Sequence, residues 1–579
     1  MKGKIKSIES LLLSACLLFA ASSALTQGGP VKADAVTPND TGVIGSDDAS
    51  SIQNAIAYAV KTGVRKVVIP AYNVRTASNG WTIARSVLIP GRVTIVIDNA
   101  MLTLTTGCYA NFFRTEHTWT EKGRSAEYAL SGIRIIGLGT AVLDGGEAND
   151  LNEGTQLKEG RPSVRLNSPI LMTNARDIEV AGLIIRSPRY WGMCFEYCQN
   201  VHIHDIRFEA FCDRPNQDGI DLRNGCSHFR IENITGQTGD DTIALSAIDG
   251  HTRSVKGCSE DIADVTIRNV FASAPTHPVL AIRNHNGAKI RHVIVENLGD
   301  APQMEPCYRT ECARYALVRI GDGRYWRERK CIKGELADIH LKNLSCRYSD
   351  RGVVINSSLV DSTIEDLRCY GNCREAVTTE GPPGGTGATM ENVTMRRVVC
   401  ETDRDDSVLF AKLCLNPGDK VRNVRLLDSQ CRRPDGTVVR FESQEVSADG
   451  PRVSGLATIE GLKTIEGELA IDETSGEYGF AESTPIRCPE RPMVFTMHLP
   501  WGHKGVSVSY YYAPDEGGRP GTWQKASLVR DNVKGRQRAD VGAGWLKYRI
   551  SLKTVDGVRP RVLTQRVGDT LFSGWRQGL

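Results

Sequence analysis

The chain has 579 residues, 24% charged, 40% hydrophobic and 6% aromatic, so it has length enough for an extended core and is neither a disordered acidic chain nor a membrane protein. Its formal charge of +3 becomes +1 once Lys2, Lys4, Lys6 and Glu9 are set aside with the N-terminal leader, and no global field favours nucleic acid. Fifty-six glycines, 24 prolines and many short Val/Ile runs indicate short strands and turns and exclude a helical bundle.

In chain order, the three lysines precede an apolar run at 11–21, and Ser22 and Ala24 suit a signal peptidase. Residues 1–24 are therefore expected to be a signal peptide and 25–36 a linker. The product is expected to be secreted, extracellular or periplasmic, without a membrane anchor because the run is too short to span a bilayer. A lipoprotein box at Leu13-Ser14-Ala15-Cys16 is disfavoured because most of the apolar stretch follows Cys16. Sixteen of the 17 cysteines remain. Cys194/Cys198, Cys307/Cys312 and Cys369/Cys373 are candidate disulfides, with buried thiols as the other reading. Zinc is disfavoured, since no CxxC pair occurs, and no metal or other cofactor is expected.

Residues 50–61 place Ile52, Ile56 and Val60 on one face, and Ser50 with Gln53 fits a capping box. This spacing predicts a short helix closing the open end of a solenoid. A six-residue phrase then recurs: IRIIGL at 133–138, IEVAGL at 178–183, VHIHDI at 201–206, FRIENI at 229–234, VTIRNV at 265–270, VIVENL at 293–298, IHLKNL at 339–344 and VTMRRV at 393–398. Apolar residues at positions one, three and six make a strand, and Asn, Asp or Gly at position five turns the chain. A repeat of about 23 residues or more is a solenoid period. The predicted fold is thus all-β, a right-handed parallel β-helix over 37–475. Residues 480–579, rich in Trp and Tyr with alternating strands such as VSVSYYY and LKYRISL, are expected to form a small β-sandwich-like domain whose aromatics are chiefly core.

Acids concentrate on consecutive rungs in Asn216-Gln217-Asp218-Gly219-Ile220-Asp221 and Thr238-Gly239-Asp240-Asp241. Either motif alone is ordinary turn chemistry. About one rung apart, they crowd carboxylates into one patch, where at least one pKa must rise, and a protonated acid beside ionised bases suits glycosidic cleavage. One rung further His277 faces the same side, and Arg319 follows on the next as a candidate partner for a substrate carboxylate. Asp47-Asp48 precedes the cap helix, where acids suit an N-terminus, and is assigned no catalysis.

Ser187-Pro188-Arg189-Tyr190-Trp191, Cys198-Gln199-Asn200-Val201-His202-Ile203, NQDGID and GDD resemble, in order and spacing, the motifs of glycoside hydrolase family 28, the polygalacturonase-like enzymes. The resemblance runs from about residue 37 to the last rungs. It implies an inverting hydrolase of a pectic or related galacto-configured glycan, with Asp240 as general acid, Asp218 and Asp241 activating water, and His277 at the family's histidine. Asn216, Asp221 and Arg319 are the expected substrate-binding residues. The sequence departs from the family at Thr276-His277-Pro278, at Gln217, and at Gly321, where the family has a lysine. A β-helix α-galactosidase, a calcium-dependent polysaccharide lyase and a non-catalytic glycan-binding solenoid stay open as alternatives.

Overall fold

A computed structural model describes residues 34–577 apart from short stretches, the longest being 305–314, 322–332, 380–388, 412–419 and 449–455. The leader and the Cys307/Cys312 pair lie outside the described residues. No described helix is long and apolar enough to cross a membrane.

Period-two alternation builds a right-handed parallel β-helix whose described strands form one 27-stranded sheet, parallel throughout except for its last pairing. The hexapeptides stack in register: Val201 opposes Phe229, Phe229 Val265, Val265 Val293 and Val293 Ile339. Their odd positions fill a continuous aliphatic core with Ile203, Ile231, Ile267, Val295 and Leu341, all fully buried.

Position five turns the chain as expected. Asp205, Asn233, Asn269, Asn297 and Asn343 have φ between 54° and 59°, a left-handed conformation that Asn and Asp tolerate best among residues with a Cβ. Their side chains also join rung to rung. Asn233 Nδ2 donates to Asp205 Oδ1 at 2.9 Å, Asn269 to Asn233 at 3.1 Å and Asn297 to Asn269 at 3.0 Å. Asn269→Ala should therefore lose both turn preference and ladder, about 1–2 kcal/mol by denaturant unfolding, whereas Asn269→Gly should lose less because the backbone stays unstrained.

The N-terminal cap is a helix, Asp48–Thr62, covering the first rung with Ile52, Ala55, Ile56 and Ala59. Its N-cap is Asp47, whose Oδ1 accepts from Ser50 N at 2.6 Å, so the Ser50/Gln53 capping box does not form. Gln53 instead exchanges two hydrogen bonds with the Leu88 backbone, tying the helix to the strand Val87–Ile89.

The parallel ladder ends at Lys420–Arg432, which pairs antiparallel with Val438–Ala448. Strands within 456–471, expected in the solenoid, belong to antiparallel sheets: Leu456–Glu460 pairs with Tyr478–Ser483, and Leu462–Ile465 with Glu468–Ile471. The change of architecture thus falls ahead of residue 475, because short apolar alternation reads alike in both settings. In the C-terminal part Val506–Ala513 pairs with Gly544–Lys553, and Tyr510 and Tyr548 are core.

Cys194, Cys198, Cys369 and Cys373 are free thiols, which corrects the disulfide expectation for these pairs in favour of buried thiols. Tyr197, with φ 51°, turns the strand between Cys194 and Cys198. Cys198 therefore enters the main core while Cys194 joins a separate cluster with Tyr190 and Trp191.

Candidate active site

Three short strands carry the site: Ile220–Leu222, Ile243–Ala247 and Leu280–Asn284. Ile220 pairs with Ile243 and Ile243 with Leu280. Carried back, this register sets Asp218 against Asp241 and Asp240 against His277. The 22 residues from Asp218 to Asp240 are therefore one short of a full rung, and Asp241 is the ladder neighbour of Asp218. Gly219 N donates to Asp241 O at 2.9 Å. A Cβ on Gly219 would lie 2.3 Å from Thr242 O, so only glycine allows the rungs to close between the acids.

One carboxylate oxygen from each of Asp218, Asp240 and Asp241 lies within 4.8 Å of the others. Asp218 and Asp241 are buried, and Asp240 is 9% exposed. Burial, then the charges of Asp240, Asp221 and Asp241, push Asp218 well above the usual carboxylate range. Burial also raises Asp240, opposed by His277 and reinforced by Asp241. Acids raised in the fold stabilise it most below the unfolded carboxylate range, and that stability is lost as pH rises through the raised values.

His277 Nδ1 lies 3.3 Å from Asp240 Oδ1 and 2.7 Å from Thr276 Oγ1. The Thr276 hydroxyl donates to Gly239 O at 2.8 Å, so it accepts at His277, and Nδ1 carries the proton. Arg283, absent from the sequence expectation, donates from Nη2 to Asp241 Oδ2 at 2.6 Å and from Nε to Ser246 Oγ at 3.2 Å. Strand alternation from Ala281 gives the signal that finds it. Arg319 reaches the same Asp241 oxygen from 3.8 Å. Asp221 is fully buried, and neither carboxylate oxygen has a hydrogen-bond partner. Asn216 lines a cavity of about 190 Å³ with Arg189, Tyr190, Arg214 and residues 148–152.

Residues 95–259, which hold all three acids, match glycosyl hydrolases family 28. The match covers 165 of the 579 residues. His277, Arg283 and Arg319 lie beyond the matched segment. The chain is 27% identical over 141 residues to a polygalacturonase of Juniperus ashei, covering 23% of this chain and 25% of that protein. It is 29% identical over 116 residues to a polygalacturonase of Chamaecyparis obtusa, covering 19% and 21%. The matches thus span about a quarter of the length of these relatives. Among solved structures, the endo-xylogalacturonan hydrolase of Aspergillus tubingensis aligns with a TM-score of 0.41 at 14% identity, over 70% of this chain and 94% of that one.

Proposed function

We propose that the chain is a secreted glycoside hydrolase that cleaves a pectic or related galacturonic or galacto-configured glycan with inversion. The carrying observation is the triad of carboxylates on adjacent rungs, with oxygens within 4.8 Å and with Asp218 and Asp240 both raised above the usual carboxylate range by burial. Asp240 gives its proton to the glycosidic oxygen as the bond to the anomeric carbon breaks. Oxygens this far apart are spanned by one water making two hydrogen bonds of about 2.7–2.8 Å. Asp218 and Asp241 hold that water, and Asp241 takes its proton as it attacks the opposite face. His277 orients Asp240, and the Arg283 guanidinium faces the charge on Asp241. Secretion is part of this reading and rests on the lysine-flanked apolar leader.

The compactness of the triad favours a second reading. Inverting enzymes usually separate acid and base by about 6.5–9.5 Å and retaining ones by about 5–5.5 Å. Hydrolysis of polygalacturonate, rhamnogalacturonan and α-galactosides, followed at once by NMR of the new reducing end, separates the two. The expected product has the anomeric configuration opposite to the substrate's. The retained anomer would establish double displacement, and a chelator-sensitive product that absorbs in the ultraviolet would establish a lyase.

A further inference from the structure

Arg223 lies two residues past Asp221 on the same outward strand face, and it is 3% exposed. Its Nε and Nη2 are buried without a hydrogen-bond partner. The two neighbouring carboxylates do not take them: Glu196 is paired with Arg165 at 3.1 Å, and both Asp221 oxygens are themselves without a hydrogen bond. The guanidinium is held by the charge of Asp221, which acts on it without a hydrogen bond, and by an aromatic face, its central carbon lying 4.8 Å from the Trp191 ring centroid. Trp191 is in turn stacked on Tyr190 at 4.4 Å.

A buried guanidinium is costly unless its N–H fork is engaged, and a carboxylate fits that fork with two parallel hydrogen bonds. Arg319 repeats the pattern, 4% exposed with Nε and Nη2 lacking hydrogen bonds. The register Leu222 to Leu245 to Ile282 to Ile320 puts the two arginines three rungs apart, about 14 Å at the usual strand spacing. Asp241 falls between them, one rung past Arg223 and two short of Arg319.

Building on the glycan-hydrolase reading above, we propose that Arg223, braced by Trp191, is a second carboxylate-reading subsite on the N-terminal side of the acids. The enzyme then reads uronate residues on both sides of the cleaved bond, Arg223 on one and Arg319 on the other. Aromatic bracing fixes the guanidinium before substrate arrives and so spares ordering entropy.

The test is calorimetric binding of trigalacturonate and its methyl ester to the full chain carrying Asp240→Asn, which slows turnover about 10³-fold. Adding Arg223→Gln is expected to weaken trigalacturonate binding at least 10-fold and ester binding less than 2-fold. Arg223→Lys should recover part of the loss and controls for folding, with circular dichroism and thermal unfolding on each variant. Equal losses on acid and ester, no loss on either, or no uronide binding at all would overturn the subsite. Hydrolysis and uronide subsite fail separately: uronide binding that depends on Arg223 in a chain that cleaves no glycan would sink the hydrolase reading alone, and hydrolysis indifferent to Arg223 would sink the subsite alone.

Discussion

Asp240→Asn is expected to lower kcat by about 10³-fold while leaving KM within a few-fold, because the amide keeps the carboxylate's shape and cannot deliver a proton to the leaving oxygen. Removal of a general acid typically costs about 10²–10⁴. The pH profile supplies an independent check. Burial holds Asp240 above the usual carboxylate range, so the wild type stays active past that range and declines as pH rises through the raised value. The Asp240→Asn residue of activity should lack this basic limb. Wild-type rates for Asp240→Asn on a glycan that the wild type cleaves would remove Asp240 from the mechanism. A substrate with a good leaving group, such as an aryl glycoside, should recover much of the loss, since its departure needs little protonation.

The parts of this arrangement legible in the sequence are those governed by local periodicity. Alternation in VHIHDI, FRIENI and VTIRNV fixes which side chains enter the core, and their position-five Asp205, Asn233 and Asn269 mark left-handed corners. The near-rung interval between NQDGID and GDD brings Asp218, Asp240 and Asp241 together. Exact register is not legible, because it is set by corner lengths: the interval suggests Asp240 as the neighbour of Asp218, while the backbone bonds give Asp241. Arg283 and Arg223 are legible only in retrospect. Each is one arginine in a strand, and its meaning depends on what the adjacent rung presents, Asp241 in one case and Trp191 in the other. Cys194 and Cys198 show the same limit, since a single positive φ at Tyr197 separates two residues that sequence places side by side.

Arg283→Met tests the electrostatics of the triad from its cationic side. Asp241 is fully buried, and Arg283 Nη2 at 2.6 Å is its close cationic contact, with Arg319 at 3.8 Å. Methionine keeps much of the stem and removes the charge, so Asp241 is left facing two other carboxylates without its close cation. Breaking a buried pair in this way costs about 3–5 kcal/mol. A loss of about 3 kcal/mol in unfolding free energy is therefore expected at pH 7. Activity should drop about 100-fold, since Asp241 loses the guanidinium that holds its carboxylate in place for the attacking water. Arg283→Lys should restore more stability than activity, as an ammonium supplies charge without the fork that also reaches Ser246 Oγ. A stability loss below about 1 kcal/mol would mean that the arginine does not compensate a buried charge, and unchanged kcat would release Asp241 from the role of base.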